Sequence, residues 1–218
     1  LPLGYFKMLK QIALIALMGL SASAMAGQWQ VKVGASVLAP TQETDLIPGV
    51  VEDAKASSEL NFTPSVEYFF NDNISAELLL ATPFKHDVEM AGDVKIASLK
   101  HLPPTITAKY NFKNSSRFTP YIGVGATVFI PWDEEFSQTA KDALGVAKLD
   151  ADVAYGVAGQ VGFNFQPADA KNWGVFVDAR YADLDTDLEA KTADGTKINL
   201  GEFGIDPWVY TIGYSYKF

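Results

Sequence analysis

The sequence predicts an all-β protein: an eight-stranded antiparallel transmembrane β-barrel with short periplasmic turns and long extracellular loops. Three observations predict it. Apolar and polar residues alternate with period 2 through eight segments, the connections between them alternate long and short, and aromatic residues crowd the ends of the apolar faces. Period-2 alternation places successive side chains on opposite faces of a strand. An even strand number with loops of alternating length is how a barrel crosses an outer membrane.

Residues 1–26 stand apart from this pattern. Lys7 and Lys10 precede the apolar run IALIALMGL (12–20), and SASAMA ends in Ala24-Met25-Ala26. That arrangement predicts a secretory signal peptide cleaved before Gly27, with an apolar part too short to span a membrane as a helix. Residues 1–7, ahead of Met8, read as upstream sequence. The predicted barrel is then 27–218.

In the first segment Trp29, Val31, Val33, Ala35 and Val37 share one face, against Gln30, Lys32, Gly34 and Ser36. In the second, Leu60, Phe62, Val66, Tyr68 and Phe70 oppose Asn61, Thr63, Ser65 and Glu67. A third runs Ile74, Ala76, Leu78, Leu80, and a fourth Leu102, Ile106, Ala108, Tyr110, Phe112. Ile122, Val124, Ala126, Val128 and Ile130 mark the fifth; Val153, Tyr155, Val157, Val161, Phe163 and Phe165 the sixth. Trp173, Val175, Val177 and Tyr181 form the seventh, and Trp208 to Phe218 alternates as the eighth.

Asn71-Asp72-Asn73, Asn114-Ser115-Ser116 and the stretch 167–172 are rich in turn formers. Between them fall long polar connections at about 40–58, 85–99, 131–148 and 183–204, which hold the acidic excess of the chain. A soluble sandwich would alternate as well, with its apolar face inward. The belts decide against it: Trp29, Tyr68, Phe70, Tyr110, Phe112, Phe163, Phe165, Trp173, Tyr214, Tyr216 and Phe218 lie near strand ends on the apolar face. Amphipathic rings suit the headgroup region of a bilayer.

Composition narrows the function classes. The chain holds no cysteine, which excludes disulfides and thiolate metal sites. Its formal charge of −9, more negative still without the leader's lysines, argues against a nucleic-acid partner. No cofactor site and no metal-ligand spacing stands out. The acidic loops could bridge to lipopolysaccharide through divalent cations, although no loop carries a dedicated calcium spacing.

LPPT (102–105), PYIGVGATV (120–128), AGQVGFNF (158–165) and DPWVYTIGYSYKF (206–218) together resemble the OmpW family, which includes AlkL-type proteins of bacterial outer membranes. The resemblance spans essentially the whole mature chain. It implies an eight-stranded barrel with a narrow hydrophobic channel open to the outside, passing small hydrophobic molecules sideways into the membrane. It also implies that Phe218 addresses the barrel assembly machinery. Tyr155 stands where the family often has tryptophan, which weakens closure of the channel by an aromatic ring at that position.

The inward faces can be read separately. Lys32, Glu67, Glu77, Lys109, Asp178, Arg180 and Lys217 fall inside near the periplasmic end, where unpaired charge is costly, so they should pair into a plug. Toward the loops the same face turns apolar, and Leu38, Leu79, Ala81, Pro83, Pro103, Phe129, Ala154, Ala158 and Val209 are candidates to line an upper channel. They would equally serve as filler in a closed structural barrel. Pro64, Pro103, Pro104 and Pro207 cluster in the loop-side parts of strands, where each removes a ladder donor. They mark either a lateral opening or a plain rim turn.

Two other functions compete with transport. A recognition barrel would use its loops to bind lipopolysaccharide, phage, bacteriocins or host ligands, and an ion channel would need a clear pore that a mixed-sign plug opposes. An enzyme would need an activated nucleophile or base. His86 and His101 are the only histidines, with no evident Ser or Asp partner, so no catalytic residue is assigned. His86 is expected to be solvated in a loop and His101 to hydrogen-bond at the rim.

Overall fold

A computed structural model describes residues 28–41, 54–56, 58–80, 83–90 and 94–218. The predicted leader lies outside the described residues. The strands are β1 (Trp29–Ala39), β2 (Lys55–Ala56), β3 (Glu59–Phe69), β4 (Ile74–Leu79), β5 (Phe84–Met90), β6 (Val94–Leu102), β7 (Thr105–Asn111) and β8 (Phe118–Phe136). A short helix, α1 (Gln138–Leu144), follows, then β9 (Val146–Ala151), β10 (Ala154–Phe165), β11 (Trp173–Ala182), β12 (Asp185–Thr192), β13 (Lys197–Gly204) and β14 (Trp208–Lys217).

Eight of these strands close a ring in the order β1-β3-β4-β7-β8-β10-β11-β14, with β14 returning to β1 through ten antiparallel Cα pairs from Gln30↔Lys217 to Ala39↔Trp208. Every neighbouring pair is antiparallel. Closure satisfies the backbone donors and acceptors that lipid cannot. Among the described residues no helix is long and apolar enough to cross a membrane.

The barrel is apolar outside and polar inside. Val33, Ile106, Ile122, Val124, Val157, Val161 and Ile212 are exposed, while Lys32, Thr63, Glu67, Thr107, Lys109 and Thr211 on the alternate positions are buried. Aromatic pairs ring the end that carries the short turns: Trp29 with Tyr68 at 4.9 Å, Tyr110 with Phe112 at 5.0 Å, Phe118 with Phe163 at 4.5 Å and Tyr216 with Phe218 at 5.1 Å between centroids. Tyr181, Trp208 and Tyr210 pack together at the other end.

The long connections correct one expectation. Much of what reads as polar loop is ordered β-structure with its own core. β5 pairs with β6 and β6 with the upper part of β8, and β9, β12 and β13 form a separate three-stranded sheet. Val88, Leu99, Phe136, Leu149, Leu188, Phe203 and Ile205 join one buried cluster that caps the barrel. The helix, for which the sequence shows no clear periodicity, is a two-turn piece: Ser137 Oγ accepts the Ala140 N–H at 3.1 Å, and Gly145 takes the left-handed conformation at φ 65° that ends it.

Candidate functional site

The lower interior is a charge network. Lys32 Nζ lies 2.7 Å from Glu67 and 3.3 Å from Glu77; Lys109 Nζ lies 3.0 Å and 2.8 Å from the same two carboxylates. Arg180 Nη2 reaches Glu77 at 2.6 Å and Asp178 at 3.3 Å. Three cations thus face three carboxylates, all buried. Further donors serve the carboxylates: Ser65 and Ser75 donate to Glu77 and Glu67, and Gln160 and Tyr121 donate to Asp178 Oδ2, while Asp178 Oδ1 has no partner. Lys109 Nζ also sits 3.8 Å above the Tyr121 ring. A buried ion cluster persists only when charge and hydrogen bonds balance in this way.

Small residues make room for it. A Cβ on Gly162 would lie 2.6 Å from Asp178 Cβ and 2.7 Å from the Tyr121 hydroxyl. Six of the seven residues read as a plug therefore meet. Lys217 does not; it is half-buried at the turn end, with Nζ 4.2 Å over the Phe69 ring. Tyr121 and Gln160 belong to the network although neither was singled out from sequence. Their inward parity was the available signal, and for Tyr121 the habit of assigning aromatic rings to lipid hid it.

Above the network lies a cavity of about 40 Å³. Its walls include Leu38, Leu79, Pro103, Phe129, Ala158, Pro207 and Val209, with Leu184 and Ile205 from the cap. Thr63, Thr105, Thr127 and Arg180 also border it. Ala154 is buried against the cap core instead, and Pro83 is exposed beside the wall. Ala81 lies outside the described residues. Tyr155 points outward and is 77% exposed, so it does not close the channel.

His86 differs from expectation, being buried and not solvated; its ring stacks 4.9 Å from that of His101, which is also buried and packs 4.6 Å from Phe129 at the cavity wall. The apolar cap over β5 and β6 accounts for this, since it removes the solvent a loop histidine would have had.

Beside the cavity, prolines stand where strands meet. On one flank the β4–β7 pairs run to Leu79↔Thr105, and β5 pairs with β6 from Phe84↔His101. Pro103 and Pro104 lie between β6 and β7. Pro104 stays tied to β8, its carbonyl accepting the Val128 N–H at 3.0 Å, so the strand is continuous on that side. By strand parity Pro103 turns away from β8, and it has no N–H to offer on that side. Its carbonyl accepts the Thr105 hydroxyl at 3.1 Å.

On the other flank the β3–β4 ladder ends at Pro64, whose carbonyl accepts the Leu80 N–H at 2.8 Å and whose missing donor leaves that rung half made. Beyond it, Asn61 Oδ1 accepts the Phe62 N–H at 2.8 Å, and Asn61 Nδ2 donates to the Pro83 carbonyl at 2.7 Å. Pro64 and Pro103 thus each lack a ladder donor in this part of the barrel, and the Asn61 side chain bonds backbone at Pro83.

A closed eight-stranded ring, apolar outside and charged inside, matches a known family model over residues 25–218, described as the OmpW family. The chain belongs to the OmpW family. It is 32% identical over 198 residues to outer membrane protein W of Vibrio cholerae, covering 88% of this chain and 89% of that one. It superposes on the crystal structure of the outer membrane protein OprG from Pseudomonas aeruginosa with a TM-score of 0.77 at 28% identity, covering 89% and 97% of the two chains. A more distant relative, outer membrane protein AlkL of Ectopseudomonas oleovorans, is 22% identical and covers 76% of this chain and 69% of its own. Like these OmpW-type relatives, the protein is an integral barrel of the bacterial outer membrane, in contact with its lipids.

Proposed function

We propose that the barrel is a passive conduit that takes small hydrophobic molecules from outside the cell and releases them sideways into the outer membrane. The observation that carries this reading is the juxtaposition of a network that fills the periplasmic half with an apolar cavity above it, whose wall includes Pro103. A solute resting in the cavity meets charge below, and its way out would be sideways into hydrocarbon where Pro64 and Pro103 withhold ladder donors. Transfer of its apolar surface out of water supplies the driving force, and no energy source is needed.

The cavity of about 40 Å³ holds little more than a water or two, so passage requires the cap and the wall segment to yield. Lipopolysaccharide contacts at the cap and recognition of Phe218 by the barrel assembly machinery belong to the same reading. The test is uptake of a radiolabelled alkane in cells lacking and regaining the gene. Restored uptake supports the conduit; equal rates leave a closed structural or recognition barrel. The ordered cap with its own core favours recognition as the second function.

A further inference from the structure

The root of the cap holds a titratable pair that the conduit does not use. Period 2 turns His86 and Val88 of β5, and Leu99 and His101 of β6, to the interior of the cap, and all four are buried. The two imidazoles stack at 16° with centroids 4.9 Å apart, and Phe129 packs on His101 at 4.6 Å. They sit where the β5–β6 hairpin joins the barrel: His101 opposes Phe84 at the start of β5 and Pro131 on β8, and it borders the cavity. Both ladders of the hairpin are irregular, with register shifts at Val88/Glu89 and at Ser98/Lys100, which weaken the pairing locally. The ring closes through eight other strands, so the hairpin can move while the barrel stays shut.

We infer that the His86–His101 stack is an acid-sensitive latch on the cap: with neutral rings it seats the β5–β6 hairpin over the cavity, and with both rings protonated it releases the hairpin and opens the cavity to the outside. Histidine changes charge between about pH 5 and 8. Two imidazolium rings in stacking contact within an apolar core repel each other with little screening. Among the described side chains, Lys85, Asp87 and Glu89 of β5 and Lys95 and Lys100 of β6 are exposed or half-buried, as are Asp133, Glu134 and Glu135 of β8. Asp87 pairs with Lys95 at 2.7 Å, and Lys100 with Asp133 at 2.9 Å. On the cavity side Arg180 and Tyr181 share the walls with His101, and Arg180 is a further cation, paired with Glu77 and Asp178. Burial, followed by the charge of His86, holds His101 well below the ordinary imidazole range. The closed cap therefore takes up fewer protons than the open one. The contribution of the latch is fully present above the open-state value of about 6.5 and is lost as pH falls below it. The latch goes beyond the conduit reading, because it governs the cap whatever the barrel admits.

The chain has two histidines, His86 and His101, so ¹⁵N-histidine labelling gives two imidazole signals to titrate by NMR with the barrel in nanodiscs. Hydrogen exchange of the β5 and β6 amides, corrected for intrinsic rates, reads the cap in the same samples. The expected result is a His101 ring that stays neutral through the ordinary value of about 6.5 and protonates only as β5 and β6 lose protection. That loss should reach at least about tenfold between pH 7.5 and pH 5, while the β1–β14 ladder keeps its protection. The double variant His86→Phe with His101→Phe keeps two stacking rings without titrating nitrogens, and its cap should exchange equally at both pH values. Four results would each overturn the inference: a His101 that titrates near its ordinary value in a protected cap, no loss of protection by pH 5, a loss that spreads to β1–β14, or an undiminished acid response in the double variant. The first three are read on the unaltered protein, so they decide the matter even where the double variant fails to fold. No solute is used, so a latch that passes in a protein that fails the uptake test stands, and only the conduit is removed.

Discussion

The two halves of the barrel solve the problem of a narrow interior in opposite ways. The lower half fills it with charge: every ladder is intact there, and Glu77 alone meets Lys32, Lys109 and Arg180. The upper half leaves a small apolar space, and near it Pro64 and Pro103 stand where ladder donors would otherwise be. The difference teaches where the molecule spends rigidity. Ion pairs that cannot be rearranged cheaply seal one end, whereas at the side the Pro64 carbonyl accepts the Leu80 N–H and the Asn61 amide donates to the Pro83 carbonyl.

The largest effect should come from breaking the lower half. Glu77→Leu removes the carboxylate shared by three buried cations, leaving them one carboxylate short, and is expected to cost about 3–5 kcal/mol, read as the unfolding free energy in urea with the barrel in lipid vesicles. A loss under 1 kcal/mol would mean that water or rearranged carboxylates serve the cluster as well as Glu77 does.

In the upper half, Asn61 separates two explanations of the wall. Asn61→Asp keeps the acceptor for the Phe62 N–H and removes the donor to Pro83, whereas Asn61→Ala removes both. If the amide holds the wall segment, both variants should broaden the distance distribution between spin labels placed on β3 and at residue 83, to a similar degree. A broadening confined to Asn61→Ala would assign Asn61 to local capping of its own strand.

The smallest effect concerns the cap. Burial, followed by the neighbouring Asp206, Glu202 and Asp183 carboxylates, raises the Asp185 carboxyl above its usual range. The folded cap then binds this proton more tightly than the unfolded chain, so the contribution is fully present below the unfolded value and is lost as pH rises through the raised folded value. Asp185→Asn should therefore stabilise the cap more at pH 7 than at pH 4, measured by intrinsic-rate-corrected hydrogen exchange of β12. An equal gain at both pH values would exclude Asp185 as a titrating group.

Much of the lower half was legible because period 2 assigns every strand residue a side, and a charge assigned inward in a lipid-facing fold has to be paired. Lys32, Glu67, Glu77, Lys109, Asp178 and Arg180 follow from that alone. Lys217 misled because parity says nothing about height: it lies too close to the turn end to reach the cluster. The cap was not legible. Its core residues, such as Val88, Leu149 and Leu188, are spread one or two at a time among carboxylates, so composition reads as loop while alternation over six to eight residues persists beneath it. The prolines of the wall were visible, but Asn61 was not, since an inward asparagine in a strand gives no sign that its amide crosses a gap.

The central claim of the proposed function is sideways release where Pro64 and Pro103 withhold ladder donors. Pro64→Val with Pro103→Val returns both N–H groups. The decisive measurement is the alkane uptake rate of cells carrying this double variant, with the folded barrel verified by its heat-dependent gel mobility. Uptake falling to the level of cells without the protein, in a barrel at least as heat-resistant as the parent, is the predicted result. Uptake at the parental rate through the zipped wall would contradict the account.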